Sequence, residues 1–314
     1  MTNRSSASPA AHAGSASSGA TRHSRGQLLR RFWAEFRENR VAVVALCVVI
    51  ALALAALLAP WIAPQNPYDL AALRLGDARR APGHVNASGF VYLLGTDAQG
   101  RDVLSAILYG LRLSVQISVT AGVIAFALGA GIGASAAFLG GRFEAVAMRV
   151  VDLQLSFPAI LLALVISAVL GQGRWQMIAA LVAAQYAYFA RTAHGAAVAE
   201  RSKDYVEAAL STPLPASQVV LRHVLPNCLP PLIVVATVQV ASAISLEATL
   251  SFLGLGMPVT EPSLGMLIAN GFQYLLSGRY WISIYPGVAL ILLIVSINLV
   301  GDQVRDQFNP RLKR

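Results

Sequence analysis

The sequence predicts an all-α polytopic membrane protein with six transmembrane helices, and three observations predict it. The chain has 314 residues, 56% of them hydrophobic and only 12% charged, and its mean hydropathy is +0.61. Those are the values of a lipid-embedded chain. Six apolar segments reach the ~20 residues that cross a bilayer: 41–62, 113–136, 150–170, 177–197, 232–253 and 281–300. The basic residues between them are unevenly shared. An even number of spans puts both termini on one side, and 17 of the 24 Lys and Arg residues then fall on that side. By the positive-inside rule it is the cytoplasmic side. The net charge of +9 is therefore read as topology and not as an affinity for nucleic acid.

Residues 1–27 are rich in Ser, Ala and Gly. They cannot bury a core and are expected to form a disordered cytoplasmic tail. A signal peptide does not fit, because the first apolar run begins only near Val41 and is long enough to span. Residues 28–40 alternate basic and aromatic side chains, with Trp33 and Phe36 between arginines. They read as an interfacial amphipathic helix at headgroup depth, or as a solvated basic flank. The remainder, 41–314, is the transmembrane domain.

An external loop is expected over 63–112, irregular by its prolines and polar residues. Within it Thr96-Asp97 suits a hydrogen-bonded turn relaxed by Gly95 and Gly100. Arg101 and Asp102 are expected to be paired within the protein, since an unpaired charge near a membrane is costly; contact with substrate is the other reading. In the second span Gly122, Gly129, Gly131 and Gly133 read as a close-packing face, not a cofactor loop. Pro158 should kink the third span. Asp152 and Gln154 need partners there, with Arg149 or a neighbour the first candidate and a part in the transport movement the second. The fourth span carries Gln185, Tyr186 and Tyr188 as a polar stripe, and the fifth carries Glu247, a carboxylate that must face protein or water. Cys47 and Cys228 read as small buried hydrophobes.

Residues 200–227 form a polar island between apolar runs. Asp204 and Glu207 have the spacing of a helix N-cap and its partner. Thr212-Pro213 should stop that helix, and a second short helix carrying Arg222 and His223 should end before Leu225-Pro226. Two short helices joined by an elbow have the form of a docking device.

Several of these stretches resemble one family, the permeases of ABC importers in the dipeptide, oligopeptide and nickel branch. Glu207-Ala208-Ala209, followed by Arg222-His223-Val224-Leu225-Pro226-Asn227, resembles the EAA loop. Leu94 to Ser105 resembles LGTDxxGRDxxS, Met148 to Pro158 resembles MRxxDxxxxFP, and Ala248 to Gly256 resembles the EASLSFLGLG element with Thr249 for serine. Pro262-Ser263-Leu264-Gly265 is similar to PSWG with Leu264 for tryptophan, and the tail from Asp302 to Arg311 is similar to GDxLRDxxDPR. Pro213 stands where the family usually has glycine, so φ is fixed at about −65° at the elbow.

The resemblance implies the type I ABC importer permease fold with a cytoplasmic EAA coupling helix. It also implies residence in a bacterial inner membrane. A second permease subunit, two ABC ATPase subunits carrying ATP and Mg, an extracytoplasmic substrate-binding protein and membrane lipid are the implied partners. Glu207, Ala208, Ala209, Pro213, Arg222 and His223 become the ATPase-coupling candidates; Asp97, Arg101, Asp102, Asp152, Gln185 and Glu247 become pathway or gate candidates. Glu207 also admits the plain role of capping a surface helix. The sequence has no phosphate-binding GxxxxGK[ST], no HExxH and no Cys/His cluster with metal spacing. No catalytic residue or bound cofactor is therefore assigned to this chain. An ion-gradient-driven secondary transporter is the alternative. It predicts inverted repeats with matched broken spans and leaves the 200–227 island unexplained.

Overall fold

A helix forms at every apolar segment, but the helices differ from those segments in length and continuity. The computed structural model describes residues 33–69, 73, 75–204, 206, 218 and 220–308. Residues 33–38 are helical. Asn39 then caps α1 (Arg40–Ile62), its side chain accepting from the N–H groups of Val41 and Ala42. Phe36 is buried and stacks on Trp33, so protein takes one of the two aromatics expected at headgroup depth.

The loop after α1 is more ordered than expected and ends sooner. It holds a 3-10 turn at Leu75–Asp77 and a small antiparallel hairpin, β1 (His84–Val85) and β2 (Val91–Tyr92). Asn86 Oδ1 closes the hairpin by accepting from Ser88 N–H and Phe90 N–H. The loop stops at Asp102, not Arg112, because Asp102 caps a 37-residue helix, α2 (Val103–Leu139).

Gly140 and Gly141 both take positive φ, 65° and 59°, which lets the chain turn directly into α3 (Gly141–Leu155). The third segment is broken where a kink was expected. α3 and α4 (Ala159–Leu170) meet at 93°. Proline has no N–H to continue the ladder and pushes Phe157 out of the helical region. The Gln154 carbonyl, which would have accepted from residue 158, accepts Phe157 N–H instead (3.1 Å), and Ser156 donates both its N–H and its Oγ to the Asp152 carbonyl.

α5 (Arg174–Arg201) has 28 residues, about 42 Å at 1.5 Å per residue. A 5-residue π-helical turn, Val220–Val224, runs into α6 (Leu225–Phe252). The break expected before Leu225-Pro226 is absent, since Pro226 sits in the first turn, where its missing N–H costs nothing. α7 (Leu264–Phe272), capped by Ser263, was not foreseen. α8 (Trp281–Phe308) closes the bundle.

Among the described residues four helices, α1, α2, α6 and α8, are long and apolar enough to cross a membrane, or five spans if α3 and α4 count as one. Length and composition thus fall short of the expected six. α5 is too polar to pass alone, yet it is packed within the bundle: Leu181, Phe189, Ala193 and Ala197 are all buried. It lies along α2, and the glycines decide how closely. A Cβ on Gly129 would come within 2.3 Å of Tyr186 O, and one on Gly133 within 2.2 Å of Ala190 O. Gly131 faces open space and Gly122 meets only an ordinary contact. Two of the four glycines, one turn apart, therefore make the packing face. Cys228 is buried, but Cys47 is exposed, because α1 presents much of its surface outward.

Candidate functional site

The chain gathers its polar groups at the two ends of the bundle and at points inside it. One end carries the segment from Gly95 to Ser105. Asp97 Oδ1 accepts the N–H groups of Gln99 and Arg101, both at 2.9 Å, an Asx turn built by a carboxylate. Its Oδ2 accepts Arg101 Nε at 2.6 Å, with both side chains almost wholly buried. The guanidinium continues to Gln99 Oε1 (2.9 Å) and to the carbonyl of Val259 (3.2 Å). A fork with several donors satisfies all these acceptors while staying charged.

Asp102 has a different task. Its carboxylate accepts Ser105 N–H and Ser105 Oγ (2.8 and 2.6 Å), and its own N–H donates to Gln65 Oε1 (2.7 Å). Burial pushes the Asp102 carboxyl above its ordinary range, against the lowering pull of the Ser105 bonds. Arg101 and Asp102 are thus each satisfied, but by other residues. Gly95, at φ 79°, lies so close to Arg80 O and Trp281 Nε1 that a Cβ has no room. Trp281 Nε1 donates to the Thr96 carbonyl (3.2 Å), fixing this segment to the start of α8.

Inside the bundle Glu247 is fully buried. Its oxygens accept Ser114 Oγ of α2 (2.7 Å) and Ser251 Oγ of α6 (2.8 Å), and Ser263, the cap of α7, is a third hydroxyl partner. One carboxylate therefore joins three helices, and among the described residues it makes no ion pair. Gln185, also buried, donates from Nε2 to the backbone carbonyl of Gln239 (3.1 Å). Gln185 Oε1 and Gln239 Nε2 have no partner among the described residues.

At the other end Asp152 pairs with Arg191 of α5 (2.9 Å) and not with Arg149, and both side chains are about half exposed. Gln154 Nε2 donates to the Ala183 carbonyl, and His194 Nε2 meets Glu144 Oε1 at 2.7 Å. These contacts hold α3 across α5. The structure thus brings Asp97, Arg101 and Asp102 together and leaves Asp152, Gln185 and Glu247 at three separate places.

Glu207, Ala208, Ala209 and Pro213 lie outside the described residues; of the helix expected from Asp204, Asp204 and Val206 are described and both are helical. What is described is where the island attaches. Val206 is buried, and its N–H donates to Lys203 O (2.9 Å). Val220 and Val224 are buried in the same cluster, with Ala134, Phe189, Ala193, Cys228 and Leu232. Arg222 is exposed in the π-helical turn, which also contains His223. Sequence reasoning missed Ser114, Ser251 and Ser263. Ser251 had a signal, lying one helical turn from Glu247; the other two have no local relation to it.

Comparison with known proteins gives a consistent result. Residues 127–314 match the family described as binding-protein-dependent transport system inner membrane component. Residues 27–82 match the N-terminal TM domain of oligopeptide transport permease C. A Brucella suis protein named for a peptide transport system permease is 40% identical over 287 residues, covering 91% of this chain and 90% of its own. The dipeptide transport system permease protein DppC of Escherichia coli is 37% identical over 287 residues, with 91% and 94% covered. The di/tripeptide transport system permease protein DppC of Pseudomonas aeruginosa is 35% identical over 286 residues, with 91% and 93% covered. Among solved structures, a chain of the inward-facing MetNI methionine ABC transporter matches with TM-score 0.52 at 19% identity, covering 65% of this chain and 96% of that one.

Proposed function

Because this chain belongs to the family of binding-protein-dependent transport system inner membrane components, we infer that it is one permease subunit of an ATP-driven ABC importer for short peptides or similar small solutes. That kinship favours the importer over the ion-gradient alternative. The chain forms half of the pathway beside a second, similar permease. Two ATPase subunits bind and hydrolyse Mg-ATP on the cytoplasmic side, and an extracytoplasmic binding protein delivers the solute. Both termini and the 200–227 island face the cytoplasm, in keeping with the 17 of 24 basic residues on that side.

The observation that supports coupling through the island is its anchorage. Val206 before Glu207 and Val220 after it are buried in one hydrophobic cluster with α2, α5 and α6 residues. Close-packed cores transmit displacement instead of absorbing it. A partner that grips Glu207, with Ala208 and Ala209 allowing its close approach, therefore moves α5 and α6 together. The bundle then changes between two packings of the same helices, opening the pathway to one side at a time. Glu207→Lys tests this in the full transporter. The expected result is normal membrane insertion with ATPase recruitment and uptake lost. A variant that recruits the ATPases and takes up solute normally overturns the coupling role of this loop.

A further inference from the structure

A cavity with charged and polar walls lies beside the Gly95–Ser105 segment, outside the family motifs. It encloses about 480 Å³ and is lined by Tyr68, Arg174, Thr260 and Glu261, a volume within the range of small-molecule sites. Three separate loops build it. Tyr68 comes from the turn after α1, its ring edge-on to Tyr109 at 5.0 Å. Arg174 opens α5, and its Nη2 donates to Gln116 Oε1 at 3.2 Å. Thr260 and Glu261 lie between α6 and α7.

These walls are held in place. Arg101, itself buried, donates to the carbonyl of Val259, the residue before Thr260. Gln172 Nε2 donates to Gly254 O (2.7 Å), and Gly173 N–H to Gly256 O (3.3 Å). The loop carrying Glu261 is thereby tied to the turn that precedes Arg174. Even so, among the described residues Arg174 and Glu261 form no ion pair with each other or with any other side chain. The charges still reach the cavity: Tyr68 is pushed up to about 12, by burial first and by Glu261 next, while Arg174 pulls it down.

A cation and an anion lining one cavity, neither of them in an ion pair among the described residues, complement a molecule bearing both charges. We propose that the cavity lined by Tyr68, Arg174, Thr260 and Glu261 is a reception subsite for a small zwitterion, a short peptide with both termini free. Arg174 takes the carboxylate, which guanidinium geometry suits. Glu261 takes the ammonium, with Thr260 and the Tyr68 hydroxyl beside it. The site rests on the importer reading and deepens it. It lies at the end of the bundle that holds the Gly95–Ser105 segment, where solute arrives if that end faces outward. Open to solvent, such a site binds weakly, as a hand-over point must.

The test uses the full transporter in proteoliposomes, with Thr260→Cys as a reporter in a Cys47→Ala, Cys228→Ala background and a water-soluble maleimide as the label. Dialanine should slow labelling severalfold, and N-acetyl-dialanine amide, which lacks both charges, should not. Arg174→Gln and Glu261→Gln should each weaken that protection roughly tenfold, the cost of losing one charged partner. Equal protection by the blocked peptide, or none by dialanine, overturns the subsite. ATP-dependent uptake in the same vesicles keeps the two readings apart. Uptake without protection removes only the subsite, whereas no ATP-dependent uptake of any short peptide removes the short-peptide reading of the importer beneath it.

Discussion

Replacing Gly133 by alanine should loosen the seam on which the bundle is built. The added Cβ would lie 2.2 Å from the Ala190 carbonyl and 2.8 Å from His194 N. The first distance is more than an ångström short of ordinary van der Waals contact. Both blocking atoms belong to the α5 backbone, so no side chain can rotate aside. α2 and α5 must separate locally, and overpacking of this kind costs about 1–3 kcal/mol. The upper half of that range applies here, since a rigid helix must move. Gly131 supplies the control in the same helix. It has nothing within 4 Å, so Gly131→Ala should gain about 0.5–1 kcal/mol from reduced backbone entropy. Thermal unfolding of the detergent-solubilised transporter, followed by tryptophan fluorescence, should show a fall of several degrees for Gly133→Ala and none for Gly131→Ala. If the two variants lose stability equally, the seam does not depend on backbone contact and the reasoning is wrong.

Arg101→Met should destabilise by about 3–5 kcal/mol, because it leaves the Asp97 carboxylate buried without its cation; combining it with Asp97→Asn should recover much of the loss in chemical denaturation. Glu247→Leu should cost about 1–3 kcal/mol by orphaning the hydroxyls of Ser114 and Ser251, while Glu247→Gln, whose amide both donates and accepts, should stay near the parent in the same measurement. Tyr68 should form its phenolate only near pH 12, seen at 295 nm as the difference between the parent and Tyr68→Phe. Its folded form keeps the proton longer than its unfolded form, so its contribution is intact below pH 10 and fades as pH rises towards 12. Removing the neighbouring anion with Glu261→Gln should bring that titration down.

The positions of the apolar segments, the tail motifs and the family were legible in the sequence, because lipid demands ~20 apolar residues wherever it is crossed. Pattern alone also located Asp102, Asp152 and Glu247, since a charge in such a setting must serve something. Partners were another matter. Arg101 lies beside Asp102 in the chain but points to Asp97, and Asp152 finds Arg191 from 39 residues away. The break at Pro158 was visible as a kink, yet its angle of 93° depends on what α3 can rest against. No sequence rule ranks Gly129 and Gly133 above Gly131; which face of α2 meets α5 is settled only when both helices pack.

Sequence by itself determined that this chain belongs in a membrane, where its apolar segments fall, and to which family it belongs, because hydropathy and short motifs are local properties. Tertiary structure decided which polar group answers which: the Asp97–Arg101 brace, the three-helix knot at Glu247, and the cavity between Arg174 and Glu261. Those depend on residues far apart in sequence, brought together by packing in which each buried charge must be met by whatever its neighbours present.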